Sequence, residues 1–169
     1  MKRTMITKLM ILLSAVLVLS SCGSSGGGGD SGGGTTQLTT AIVKLTTTGT
    51  LPSTTQIGGI DVTLQLPQGV TVKSTTNPPE TDSGVVTASG VAASNSSLVS
   101  TFTTSTRIVH ILLANPNGFG TGEFATVNCS IAAGSSPKQT DFSVSTMITK
   151  DLTGNSISGL TAGLTATIY

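Results

Sequence analysis

The 169-residue sequence has no Trp, one Tyr, one His and two Cys, and only 9% of it is charged. Each shortage closes a class of function. A formal net charge of +1 supplies no basic surface of the kind that releases counterions from a phosphate backbone, which argues against nucleic-acid binding. One His and two Cys cannot build a multi-ligand His/Cys metal site. Charge is too sparse for a charged disordered tail, and the 37% apolar fraction is enough for a core. No apolar run reaches the ~20 residues that a membrane-spanning helix needs. What is abundant is Ser and Thr, nearly a third of the chain together, and Gly, with 21 residues.

The N-terminus reads as an export signal. Lys2, Arg3 and Lys8 form a positive start, and Leu9 to Leu19 is apolar apart from Ser14, the length and flanks of a signal-peptide core. The run ends in Leu19-Ser20-Ser21-Cys22, which resembles the bacterial lipobox. That resemblance implies cleavage before Cys22, a diacylated Cys22 sulfur and an acylated new amine, hence residues 1–21 as a lipoprotein signal peptide. Each buried CH₂ contributes roughly 0.8 kcal/mol, so two or three palmitate-like chains hold a protein durably on a membrane. The processed chain keeps five basic against seven acidic side chains, a balance of −2. Gly23 follows the Cys, and an Asp there resembles an inner-membrane retention signal. An outer-membrane or cell-surface location is therefore expected where the cell has an outer membrane.

Residues 22–34 comprise this Cys and a Gly/Ser tether, GSSGGGGDSGGG. Twelve such residues reach on the order of 20 Å. From Thr35 to Tyr169 the chain reads as one all-β domain, with period-two alternation of Val, Ile and Thr between Gly/Pro/Asn/Ser clusters. Ala41, Val43 and Leu45 alternate with Ile42 and Lys44. Ile60, Val62, Leu64 and Leu66 share a face opposite Asp61, Thr63 and Gln65. Pro67-Gln68-Gly69 turns into Val70 and Val72. Residues 75–84 form a loop, because Pro78 and Pro79 cannot join a ladder. Val85-Val86 and Val91-Ala92 are short strands, and Leu98 to Thr103 alternates. Arg107 to Ala114 reads as a central strand buried on both faces, and Asn115-Pro116-Asn117-Gly118 as a turn. Ala125, Val127, Cys129 and Ile131 oppose Phe124, Thr126, Asn128 and Ser130. Phe142, Val144, Thr146 and Ile148 form a face, Gly154-Asn155 a hairpin turn, and Leu164, Ala166 and Ile168 close the chain. About nine strands without helix predict two packed antiparallel sheets, a β-sandwich, with a closed barrel as the alternative that the uneven strand lengths and the long Pro-bearing loop disfavour.

Ile57-Gly58-Gly59 leading into the alternating strand Ile60 to Leu66, Gly118-Phe119-Gly120-Thr121-Gly122-Glu123 leading into Phe124 to Val127, and Asp151-Leu152-Thr153-Gly154-Asn155-Ser156-Ile157 together resemble cohesin-like domains. The resemblance implies an antiparallel, nine-stranded, jelly-roll-like β-sandwich, a fold shared with several carbohydrate-binding modules. The resemblance spans roughly Thr35 to Tyr169. It implies a non-catalytic module for protein–protein binding or adhesion, with a dockerin-type partner, or a polysaccharide-binding relative of the same superfamily.

The candidate chemistry is thin. His110 reads as a partly buried strand histidine, since no G-x-S-x-G or similar motif gives it a nucleophile. Cys129 lies on the core face and packs as a small hydrophobe, with an intermolecular disulfide as the alternative in an oxidising compartment. Glu80 and Asp82 are close in sequence but read as solvated loop charge rather than a glycosidase pair, and Glu123 as structural. Asp151 with Asn155 could offer oxygen ligands to calcium, though not at EF-hand spacing; no other cofactor is expected. Sugar-binding sandwiches usually stack rings on Trp or Tyr. Here Phe102, Phe124 and Phe142 are expected in strands, which leaves Phe119 as the candidate exposed binding aromatic.

Overall fold

A computed structural model describes residues 37–75 and 79–169; the signal segment, Cys22, Asp30 and the tether lie outside the described residues. Within them the chain forms nine strands and two short 3-10 turns. The strands are β1 (Thr40–Thr48), β2 (Ile57–Gln65), β3 (Val70–Thr71), β4 (Val86–Ala88), β5 (Ser97–Thr103), β6 (Ile108–Phe119), β7 (Gly122–Ile131), β8 (Ser143–Asp151) and β9 (Thr161–Ile168). No helix among the described residues is long and apolar enough to cross a membrane.

Two antiparallel sheets result. The first runs β3-β7-β1-β9, with β4 also on β7; the second runs β5-β6-β2-β8. Apart from β3 to β4 and β5 to β6, each link between consecutive strands crosses from one sheet to the other. Such alternation is what a jelly-roll-like sandwich requires, and it explains why most strands are joined by loops rather than two-residue hairpins. The core lies between the sheets. Ala41, Val43 and Leu45 from β1 are fully buried, as are Val62 and Leu64 from β2, Val109 and Ile111 from β6, and Val127 from β7. Period-two alternation places these residues inside, since successive side chains of a strand point to opposite faces.

The structure departs from the sequence reading where a strand gains a residue. Leu45 pairs with Ala125 but Thr46 pairs with Glu123, so Phe124 has no residue opposite it on β1. This β-bulge breaks the period, and Phe124, expected on the solvent-facing side, is fully buried in the core cluster. In β8, Thr146 pairs with Thr63 but Val144 pairs with Leu64. The extra residue, Ser145, reverses the alternation. Val144 and Met147 pack on the core, Thr149 is buried, and Ile148 is 50% exposed rather than inside. Phe142 precedes β8, at the end of the 3-10 turn Gln139–Asp141.

Asn115-Pro116-Asn117-Gly118 does not end the strand. It lies within β6, where Ile57 pairs with Phe119 and Gly59 with Ala114. The turn-forming residues are absorbed as a wide bulge, held by Asn115. Its amide, 3% exposed, donates to the Ser94 carbonyl at 2.8 Å and to Ser96 Oγ at 3.0 Å, while its Oδ1 accepts the Asn117 N–H at 2.9 Å. The bulge also carries Phe119 into the core at 5% exposure, which removes it as an exposed binding aromatic. β6 is central in its sheet but buried on one face only, because Leu112 is 46% exposed. Val91-Ala92 is not a strand: Gly90 takes a φ of +54° and opens a 3-10 turn, and a side chain there would collide with the Glu123 backbone.

Candidate functional site

The outer face of β5-β6-β2-β8 carries a row of exposed apolar side chains. Val99 on β5 lies opposite Leu112 on β6, Leu112 opposite Asp61 on β2, and Asp61 opposite Ile148 on β8. One row of side chains therefore crosses all four strands, a span of roughly 14 Å at ~4.8 Å per strand. Val99 is 57% exposed and, like Leu112 and Ile148, an exposed large hydrophobic. The next row reads Thr101, His110, Thr63, Thr146. His110 Nε2 meets Asp61 Oδ1 at 2.7 Å across the two rows, both side chains about two-fifths exposed. The result is an apolar band with one polar pair at its centre, framed by threonines.

Period-two alternation makes such a face. Residues that point outward on each strand meet their counterparts two residues apart, and antiparallel register brings them within contact distance. His110 and Asp61 were legible as outward residues on separate strands, but their meeting depends on the β2–β6 register. The bulge at Ser145 decides the exposure of Ile148, and sequence alternation alone assigned it to the wrong face.

The remaining sequence candidates have structural roles. Glu123 accepts from Lys44 Nζ at 2.9 Å. That hydrogen bond, and a second from Ser89, hold its carboxyl below the usual carboxylate range. Asp82 pairs with Lys73 at 3.1 Å. Asp141 Oδ2 accepts the Lys138 N–H at 2.8 Å and closes the turn before β8. Asp151 organises the loop after β8. Its Oδ1 accepts the Thr153 hydroxyl at 2.8 Å and the backbone N–H groups of Thr153 and Asn155, and its Oδ2 accepts the Asn155 amide at 3.2 Å. The Thr153 hydroxyl leads in lowering the Asp151 pKa. The carboxylate is thus engaged by its own loop, as in an Asx turn. Among the described residues, no group of three or more His, Cys, Asp or Glu side chains is arranged to hold a metal ion. Cys129 is a buried free thiol whose pKa burial pushes up to about 12, which keeps it a neutral hydrophobe. The exposed aromatic in the described part of the chain is Tyr169, at 56%.

Fold and face together define a β-sandwich with one apolar sheet surface. No family model matches the sequence, and no curated protein matches it significantly. Among solved structures the chain is similar to the type II cohesin A11 of Bacteroides cellulosolvens, at 13% identity and a TM-score of 0.46, over 69% of this chain and 82% of that one. A likeness at that level carries no argument about partner or chemistry.

Proposed function

We propose that this protein is a lipid-anchored module of the cell envelope, on the outer membrane or cell surface, whose sandwich binds a protein partner without catalysis. The observation that carries the proposal is the Val99–Leu112–Ile148 band on the four-stranded sheet. Scattered exposed hydrophobics need no explanation, but Val99 and Leu112 are direct cross-strand neighbours and Ile148 follows in the same row across Asp61. Threonines and the Asp61–His110 pair supply a polar rim and a centre. The sequence motifs similar to those of cohesin-like domains point the same way, toward an adhesion or dockerin-type partner. The charged start, apolar run and Leu19-Ser20-Ser21-Cys22 support the anchor. With Phe119 buried and no Trp, Tyr169 is the one exposed ring among the described residues that polysaccharide stacking could use.

Replacing Val99 and Leu112 together by Thr keeps strand propensity and is expected to shift stability by no more than about 1 kcal/mol. Capture of a protein partner from native envelopes is expected to weaken at least about tenfold. Unchanged capture, or retention on a polysaccharide affinity gel with no protein recovered, counts against the reading. Metabolic palmitate labelling is expected for the natural chain and absent in Cys22→Ser; a natural chain without label removes the anchor and leaves the binding face standing.

A further inference from the structure

Strand edges are a standing hazard, and proteins guard them with short strands, bulges, charge, proline or covering segments. Three of the four edges here are guarded. The β3 and β4 edge consists of strands of two and three residues, beside the Lys73–Asp82 ion pair. β5 is covered by the segment before it: Thr81 N–H donates to the Ser100 carbonyl at 3.0 Å, and Phe102 N–H to the Pro79 carbonyl at 2.9 Å. β8 carries a bulge, ends in Lys150 and Asp151, and is covered over its last turn by the Ile157 N–H bond to the Thr149 carbonyl at 2.9 Å. Among the described residues no strand, bulge or backbone hydrogen bond covers the outer side of β9, although the 3-10 turn Gln139–Asp141 lies near it. β9 reads Thr-Ala-Gly-Leu-Thr-Ala-Thr-Ile, without charge or proline, and its register with β1 runs unbroken from Thr48–Thr161 to Ala41–Ile168.

The phase of the ladder identifies the free groups. Thr40 and Tyr169 exchange both backbone bonds, at 3.2 and 2.9 Å. Alternation in an antiparallel pair then turns the N–H and C=O groups of Ala162, Leu164, Ala166 and Ile168 away from β1. Beneath this edge the two sheets part between β8 and β9, leaving a groove of about 440 Å³. Val144, Met147, Leu160 and Leu164 line it half-buried. An undefended edge thus lies over a lateral opening into the core.

We propose that two copies of this chain associate through β9, edge to edge and antiparallel, into one continuous sheet across a two-fold axis. Matching of the strand to itself argues for a second copy as the occupant. With Leu164 on the axis, Ala162 meets Ala166, Thr161 meets Thr167, Gly163 meets Thr165, and Leu160 meets Ile168. Apolar residues face apolar ones on the groove side, and small or hydroxyl residues meet on the outside, the pairs that stabilise neighbouring strands. The edge has no charge, so two copies meet without repulsion. The chain's own residues 23–34 are a poor alternative, being mostly Gly, which weakens a strand.

Sedimentation of the full chain in mild detergent tests this. A monomer–dimer equilibrium is expected between micromolar and millimolar protein. Thr165→Glu remains compatible with the fold, because Thr165 is exposed and lies opposite Lys44. It brings two like charges together near the axis and is expected to weaken the dimer about tenfold. Ala162→Pro removes an outward N–H without touching the β1 ladder and is expected to have the same effect, with thermal melting as the check on folding. Leu164→Cys is expected to give a disulfide-linked dimer in native membranes, since residues paired on the axis lie within disulfide reach. A chain that stays monomeric up to millimolar concentration overturns the proposal, as does a dimer that neither Thr165→Glu nor Ala162→Pro weakens. Leu164→Cys chains that fail to cross-link overturn the register.

Discussion

The two sheets share one core and face solvent in opposite ways. Outside β1, β7 and β9 stand Thr40, Lys44, Asn128, Ser130, Thr165 and Thr167, all exposed, with the Lys44–Glu123 ion pair among them. Outside β5, β6, β2 and β8 stand Val99, Leu112 and Ile148. Both surfaces arise from the same alternation, so strand formation cannot explain the difference. A threonine-rich face keeps β propensity while remaining solvated. The apolar band gives up that solvation and leaves Val99, Leu112 and Ile148 in contact with water. The bulges differ too: the one in the first sheet buries Phe124, while the second sheet has two, one that buries Asn115 and Phe119 and one at Ser145 that turns Ile148 outward.

The hardest test of this contrast is Phe124→Ala. It removes a fully buried ring next to a bulge and is expected to lower stability by about 3–5 kcal/mol. Denaturant unfolding should remain a single transition, because both sheets line the same core. Two separate transitions would mean that the sheets are energetically independent. Asn115→Ala comes next. It leaves the Asn117 N–H without its Oδ1 acceptor and the Ser94 carbonyl without its donor, an expected loss of about 1–3 kcal/mol. The variant should also disturb the apolar face, which β6 helps to build, and a binding assay run beside the unfolding curve reports that.

The smallest effect belongs to the solvated sheet. Glu123 has a folded pKa below its ordinary value because Lys44 and Ser89 bond to the carboxylate. A depressed carboxylate adds stability above its unfolded pKa and loses it as pH falls through the folded value. Lys44→Met is therefore expected to cost no more than about 1 kcal/mol at neutral pH and to flatten the decline in stability below about pH 4. An unchanged acid limb would show that the pair adds nothing to the fold.

Much of the fold was legible because alternation needs no tertiary information. Ala41-Val43-Leu45 and Ile60-Val62-Leu64-Leu66 announce buried faces in one dimension, and Gly69 and Gly154 take the positive φ that their turns require. The errors cluster at bulges. An extra residue breaks the period: Phe124, itself the bulged residue, turns inward, and Ile148, beyond the bulge at Ser145, turns outward. Asn115-Pro116-Asn117-Gly118 has the composition of a turn, yet Ser94 and Ser96, distant in sequence, hold it inside a strand. The apolar band was illegible for a related reason. Val99, Leu112 and Ile148 become neighbours only once β5, β6, β2 and β8 are set side by side in register.

Composition and periodicity by themselves determined that the described residues would fold as antiparallel strands around an apolar interior, because most strands declare their buried face through their own alternation. Only the tertiary structure decided where the bulges fall, which surface hydrophobics share a row, that His110 meets Asp61, and that β9 ends the first sheet. Those outcomes depend on hydrogen-bonded register between strands far apart in the chain, and no local stretch of sequence carries that information.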